Sequence, residues 1–209
     1  MAHVIYVHGL WMPGDESLIL RRRLAQEFDL ALHAFRYSAA YSTMNATTAR
    51  LEGFVRELHT AEAHFVGHSL GGLVIHRFLE RFPDQPPGRA VFLGTPCVAS
   101  RAAERAGRFA PVAHLMGLSV AEELLQPRER RWTHARELGI VAGTQPLGVG
   151  QLLANFAEDN DGTIAVSETR MPGMSAHIAL PVSHLGMLMS ARVARETGLF
   201  LTEGRFSVA

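Results

Sequence analysis

Short apolar runs alternate with amphipathic segments along most of this 209-residue chain, and this alternation limits its fold more than any other feature. Each run ends at glycine or polar residues, which is typical of strands buried on both faces of a sheet. The runs cover residues 4–7, 30–37, 63–66, 90–93, 140–143 and 163–166, with 176–180 as a further strand or a loop. Strands that alternate with helices predict an α/β protein with a mostly parallel sheet of about six strands.

Segments with apolar residues at helical spacing separate these runs. They are residues 15–28, 47–60, 73–81 and 185–204, the last as one or two helices. Residues 98–136 break the alternation, because they form a long stretch between two predicted strands and contain Pro111 and Pro127. We expect a single domain over residues 1–209, with a small helical, lid-like insertion at about 98–136.

The composition is that of a folded protein with a sizeable core, since 47% of the residues are hydrophobic. A formal net charge of zero gives no electrostatic basis for binding nucleic acid or an anionic membrane. The single cysteine, Cys97, allows no intramolecular disulfide, and no Cys/His cluster has the spacing of zinc ligands. We therefore predict no cofactor, no metal and no stable membrane insertion. The absence of a signal-peptide pattern favours a cytoplasmic protein.

Residues 67–71 read Gly-His-Ser-Leu-Gly, the G-x-S-x-G pattern, between a predicted strand and a predicted helix. In that context a sharp turn lifts the serine hydroxyl clear of the backbone, and the flanking glycines keep the turn uncrowded. The N-terminus of the following helix also stabilises negative charge that develops nearby. Ser69 is therefore the candidate nucleophile. An ordinary glycine-rich turn is the alternative, since the pattern alone is loose.

A serine nucleophile needs a base, and in this architecture the chain order is serine, acid, histidine. His184 is the favoured base, because it follows the last predicted strand and precedes the final helix. A loop at that place can bend over the serine. His177, within a possible strand, is the alternative.

The candidate acids are Glu158, Asp159 and Asp161, which lie between the serine and the histidine in the sequence. Asp161 is favoured over Asp159 and precedes a glycine, which marks a turn at a strand boundary. A buried carboxylate there would accept the histidine Nδ1 proton and fix the tautomer. The alternative for each acid is a carboxylate that only caps its own turn.

A developing oxyanion needs about two backbone N–H donors. Leu70, the residue after the serine, is one candidate, and Leu10, in the loop after the first strand, is the other. His8 beside that loop is favoured as a hydrogen-bonded structural residue. Trp11 and Met12 follow the loop and are candidates for lining the substrate pocket, with simple packing as the alternative.

Together these segments resemble the α/β-hydrolase fold superfamily, and more narrowly its bacterial lipase- and esterase-like members. Residues 7–10 resemble the oxyanion segment, 67–72 the nucleophile elbow, 94–96 a strand-end segment, 160–164 the acid segment and 183–184 the histidine loop. The resemblance spans nearly the whole chain and strengthens Asp161 as the acid. It is specific for the superfamily, but not for a substrate.

The first functional hypothesis is hydrolysis of a small-molecule carboxylic ester through an acyl-enzyme on Ser69. The second keeps the same triad in a thioesterase, an amidase or an acyltransferase. The third is a non-catalytic module that binds an apolar ligand. Its basis is an apolar stripe in the insertion, formed by Phe109, Leu115, Met116, Leu118, Leu124 and Leu125. The intact order of serine, aspartate and histidine favours an enzyme.

Overall fold

A computed structural model describes residues 1–39, 41–98, 130–147 and 158–207. Within them the chain forms one sheet of six strands. They are β1 (His3–Val7), β2 (Ala31–Phe35), β3 (Ala63–His68), β4 (Ala90–Leu93), β5 (Leu138–Gly143) and β6 (Ala176–Leu180). The strand order is β2-β1-β3-β4-β5-β6, and all five pairings are parallel. The predicted α/β class and parallel sheet are confirmed.

Four α-helices lie in the described residues. They are α1 (Leu18–Phe28), α2 (Met44–Glu57), α3 (Leu70–Arg81) and α4 (Ala191–Glu203). The start of α2 lies earlier than predicted, because the Thr43 side chain accepts a hydrogen bond from the Ala46 N–H at 3.2 Å and caps the helix there. The predicted tail segment consists of a 3₁₀ turn, Gly186–Leu188, followed by α4.

Helices cover both faces of the sheet, which explains why the strands are mostly apolar. Side chains alternate along β1: Ile5 and Val7 pack into the cluster that includes residues of α2 and α3. Val4 and Tyr6 point to the other face and pack into the cluster that includes residues of α1 and α4. The core is therefore two apolar layers with the sheet between them.

The predicted strand at residues 163–166 is wrong. This segment makes a single antiparallel bridge, Asn160 to Ala165, and continues into a 3₁₀ turn, Ser167–Thr169. The Asp161 carboxylate binds the N–H groups of Thr163 and Ile164, so these groups are not available to a neighbouring strand. The sixth strand is instead 176–180, the segment that the sequence left open between strand and loop.

Most of the predicted insertion, residues 99–129, and the apolar stripe within it lie outside the described residues. The end of that stretch is described, and there Trp132 is buried with its ring edge against Phe92, at 5.6 Å between centroids. Over the described ranges, no helix is long and apolar enough to span a membrane.

The strand order reverses direction at β1. The chain runs from β1 to β2 on one side and then returns to β3 on the other side of β1. The loops that leave the carboxyl ends of β1 and β3 therefore diverge toward α1 and α3, which lie on opposite faces. Such a switch point opens a crevice at the sheet edge, which is where ligands bind in open α/β sheets.

Candidate active site

Ser69 occupies the sharp turn between β3 and α3, at the carboxyl end of β3. Its backbone has φ 53° and ψ −123°, a conformation that costs a residue with a side chain about 1–3 kcal/mol. Two bonds to the end of β4 and its loop hold the turn: the Ser69 N–H donates to Leu93 O at 2.9 Å, and Thr95 Oγ1 donates to Ser69 O at 2.9 Å. The side chain remains partly exposed.

Gly71 lies inside α3, whose start at Leu70 is three residues earlier than the predicted start at Leu73. A Cβ on Gly71 would lie 2.0 Å from the carbonyl oxygen of Val7. That atom belongs to β1 and cannot move without shifting the central sheet. We expect Gly71→Ala to lower the free energy of unfolding by about 3 kcal/mol, measured by urea denaturation.

Gly53, in the interior of α2, is the matched control, because a Cβ there would meet no atom within 4 Å. Gly53→Ala should raise the free energy of unfolding by about 0.5–1 kcal/mol, since alanine favours the helix. Equal effects of the two substitutions would contradict the close approach of α3 to β1.

Asp161 and His184 come together at the carboxyl edge of the sheet, although 23 positions separate them in the sequence. His184 Nδ1 lies 2.6 Å from Asp161 Oδ2, and the His184 N–H donates to the Asp161 carbonyl at 2.8 Å. The Asp161 side chain is fully buried. Its other oxygen, Oδ1, accepts from Thr163 N at 2.9 Å and from Ile164 N at 2.7 Å. The carboxylate is therefore held on one side and directed at the imidazole on the other.

Gly94, at the end of β4, makes room for this pair. Its φ is +56°, and a Cβ there would lie 2.9 Å from Asp161 Oδ2 and 3.0 Å from His184 Nδ1. The three other candidates do not bind the His184 ring. Glu158 is half-buried, and no hydrogen bond joins it to His184 in the described structure. Asp159 is exposed, and His177 directs its Nε2 at the Thr169 hydroxyl, 2.8 Å away.

His68, the residue before the serine, contacts His184 of this pair. Its ring centroid lies 4.7 Å from that of His184, and its Nε2 lies 2.9 Å from the His184 carbonyl oxygen. The Ser69 hydroxyl and the His184 imidazole share no hydrogen bond in the described structure. In enzymes in which a serine and a histidine act together, their hydrogen bond is often long without substrate and tightens when substrate binds. The sequence pattern singled out Ser69 and gave no signal for the residue before it.

The loop after β1 is held by His8. Tyr37 N donates to His8 Nε2 at 3.2 Å, so the ring proton is on Nδ1, which donates to the Gly9 carbonyl at 2.8 Å. The Tyr37 hydroxyl also donates to the His8 carbonyl at 3.0 Å. The bond from His8 Nδ1 to the Gly9 carbonyl also orients the next N–H group. Because a trans peptide has its C=O and N–H on opposite sides, the Leu10 N–H points away from the His8 ring.

The second candidate donor, the Leu70 N–H, belongs to the first residue of α3. The first N–H groups of a helix have no acceptor within the helix, and the helix dipole favours negative charge there. Beyond Leu10, Trp11 is 66% exposed with φ 57°, and Met12 is half-buried. The large apolar side chain of Trp11 is therefore exposed to solvent next to the candidate oxyanion loop.

Buried neutral histidines make the fold sensitive to acid. Burial, as the largest cause, lowers the pKa of His68 to about 3 and the pKa of His76 and of His177 to about 4. In the unfolded chain these groups bind protons near pH 6.5, so below that pH the unfolded state binds more protons than the folded state. We expect the free energy of unfolding to fall as the pH is lowered.

His68 alone should account for a loss of about 2 kcal/mol between about pH 6.5 and 4.5. Urea denaturation across this range measures the slope. His68→Gln, which cannot bind a proton there, should show a shallower dependence than the wild-type chain. A steeper or unchanged slope in that variant would contradict the assignment of the lowered pKa to His68.

A parallel sheet with a strained serine turn after β3 and a histidine loop after β6 is the α/β-hydrolase fold, and this chain has that fold. No protein-family model matches the chain, and no curated protein matches it in sequence.

Solved structures are similar to it. The mature form of Bacillus licheniformis lipase BlEst2 is 17% identical with a TM-score of 0.75, covering 98% of this chain and 92% of that one. Carboxylesterase CesB (YbfK) from Bacillus subtilis is 16% identical with a TM-score of 0.59, covering 97% and 84%. The RedJ thioesterase of the prodiginine biosynthetic pathway in Streptomyces coelicolor is 14% identical with a TM-score of 0.57, covering 94% and 85%. At such identities the similarity establishes the shared fold.

Proposed function

We propose that the chain is a serine hydrolase that cleaves small-molecule carboxylic esters, with Ser69 as nucleophile, His184 as base and Asp161 as the acid that orients the base. The observation that carries the proposal is the 2.6 Å contact between His184 Nδ1 and the buried Asp161 carboxylate, beside a strained serine turn. Esterases and lipases among the similar structures support the same class of reaction.

In the first half-reaction the Ser69 oxygen forms a bond to the ester carbonyl carbon, and its proton passes to His184 Nε2. The Asp161 carboxylate stabilises the imidazolium that results. The carbon–oxygen bond to the alcohol then breaks, and the alcohol leaves with the proton from His184. The product of this step is an acyl-enzyme on Ser69.

In the second half-reaction water takes the place of the alcohol. His184 accepts a proton from water as its oxygen bonds to the acyl carbon, and returns that proton to Ser69 as the acid leaves. In both halves the N–H groups of Leu10 and Leu70 stabilise the oxyanion. Trp11 and Met12 would contact the substrate at the entrance, because they directly follow the oxyanion loop.

A thioester is the second candidate substrate, favoured by the similarity to a thioesterase. The same side chains would act, with a thiol leaving in place of the alcohol. Comparing kcat/KM for p-nitrophenyl acetate and for an acetyl thioester separates the two reactions. A preference for the thioester of more than about 100-fold, or about 2.7 kcal/mol, would reassign the substrate class.

Labelling with an organophosphonate ester tests the nucleophile. We expect one phosphonyl group per chain, located on Ser69 by peptide mass spectrometry, and loss of ester hydrolysis in proportion to labelling. Substrate present during labelling should slow the reaction. Hydrolysis that continues after complete modification of Ser69 would refute the proposal, and so would the absence of any ester or thioester turnover.

A further inference from the structure

His68 is a buried histidine that has no part in the mechanism proposed for Ser69, Asp161 and His184. Its side chain is completely buried, directly before the proposed nucleophile in the sequence and in contact with the proposed base in space. The ring of His68 lies against that of His184 with 47° between the planes. A residue that adjoins one reacting group in the chain and contacts the other in space can influence the distance between them.

The hydrogen bond of His68 fixes its protonation. A carbonyl oxygen only accepts, so the Nε2 atom that lies 2.9 Å from the His184 carbonyl must carry the proton. The other nitrogen, Nδ1, is buried without a hydrogen-bond partner and faces Gly9, where a Cβ would lie 3.3 Å away. Because burial lowers the pKa of His68 to about 3, the ring is neutral near pH 7. His68 is thus a donor that does not compete for the proton of the serine.

His184 is held on two sides. Asp161 binds the backbone N–H of His184 and the ring Nδ1, and His68 binds the backbone carbonyl and contacts the ring. Together these contacts fix the imidazole while leaving its Nε2 edge unoccupied by either residue. Since His68 adjoins Ser69 in the chain, one residue links the position of the nucleophile to that of the base.

We propose that His68 is a positioning residue. Its hydrogen bond to the His184 carbonyl and its contact with the His184 ring hold the histidine loop within reach of Ser69. The proposal rests on the proposed function for its kinetic consequence, because it assigns the base that is being positioned. Its structural consequence, the order of the Asp161–His184 pair, does not require turnover.

Three substitutions separate the hydrogen bond of His68 to the His184 carbonyl from its contact with the His184 ring. His68→Phe keeps a ring but has no donor, so the His184 carbonyl loses its partner. His68→Gln keeps an N–H donor at the position of Nε2, because the two nitrogens are the same number of bonds from Cα. His68→Asn places its amide near the Nδ1 position, which is too short to reach the carbonyl.

Kinetics with p-nitrophenyl acetate provide the first readout. We expect His68→Phe and His68→Asn to lower kcat by about 10–100-fold with KM nearly unchanged, since a small misplacement of a catalytic group costs up to about 100-fold. His68→Gln should recover most of kcat. His177→Phe is the matched control: it removes a histidine with its own hydrogen bond, to Thr169, that does not touch His184 in the described structure, and its kcat should equal that of the wild type.

Proton NMR provides the second readout, through the downfield resonance of the His184 Nδ1 proton bonded to Asp161. This resonance should broaden or shift in His68→Phe and His68→Asn, and return toward its wild-type position in His68→Gln. If the wild-type chain hydrolyses no ester, the proposed function fails while the resonance still tests the positioning. Wild-type kcat and an unchanged resonance in folded His68→Asn would overturn the inference, as would a His68→Gln variant as impaired as His68→Asn.

Discussion

Replacing Ser69 with glycine is expected to abolish ester hydrolysis and at the same time to stabilise the fold. Loss of the hydroxyl removes the nucleophile, so kcat/KM should fall by about 10³-fold or more. The backbone at Ser69, with φ 53° and ψ −123°, is strained for serine and is adopted by glycine without a steric cost. The greater freedom of glycine in the unfolded chain offsets part of this gain, leaving a net increase in the free energy of unfolding of about 1 kcal/mol.

Ser69→Ala is the matched control, because it removes the hydroxyl but keeps a Cβ in the strained conformation. It should lose activity like Ser69→Gly and show no gain in stability. Urea denaturation and p-nitrophenyl acetate hydrolysis measure the two quantities separately. Full turnover by Ser69→Ala would exclude Ser69 as the nucleophile, and equal stability of the two variants would exclude stored strain at the turn.

Five of the six strands, β1 to β5, could be predicted from the sequence because burial inside a parallel sheet favours apolar runs. The start of α3 could not. Gly71 and Gly72 follow the serine, and a glycine pair in a sequence usually indicates a turn. In the structure both lie inside the helix, where a Cβ on Gly71 would meet Val7 and a Cβ on Gly72 would meet Thr95. The reason for these glycines is contact with other elements, which no local pattern reveals.

The segment after Asp161 shows a different error, because a strand was predicted where the structure has a turn. Residues 163–166 include β-branched Thr163 and Ile164 and were predicted to be a strand. Their N–H groups instead bind the Asp161 carboxylate, and the Ala165 N–H binds Glu168 Oε2 at 3.0 Å. Side-chain acceptors replaced a neighbouring strand as hydrogen-bond partners. Strand propensity alone therefore could not predict the turn that presents the acid.

The order of serine, acid and histidine along the chain could be predicted from the sequence. Only the structure distinguishes between the alternative residues for one role. The sequence allowed His177 or His184 as the base, and the contact with Asp161 belongs to His184. His68 was not predicted at all, because it occupies a variable position of the pattern and its partner, the His184 carbonyl, is 116 residues away. Its role depends on a long-range contact that spacing within a motif does not encode.

Asp161→Asn is expected to lower kcat by about 10⁴-fold while the chain still folds. The Asn amide oxygen must take the Oδ1 side, because an NH₂ group there would face the N–H donors of Thr163 and Ile164. The NH₂ group then faces His184 Nδ1, which must act as acceptor, and the ring proton moves to Nε2. A histidine protonated at Nε2 cannot accept the Ser69 proton, so His184 in this variant cannot act as the base.

Asp159→Asn is the matched control, because it also removes one negative charge, two positions earlier, from an exposed side chain. Its kcat should stay within about twofold of the wild type, since an exposed charge is screened by solvent. Steady-state hydrolysis of p-nitrophenyl acetate measures both variants, and ¹⁵N NMR of His184 reports the tautomer directly. If Asp159→Asn lowered kcat more than Asp161→Asn does, Asp159 would be the acid instead of Asp161. A loss in Asp161→Asn without a change of tautomer would mean that the carboxylate acts through its charge and not by orienting the imidazole.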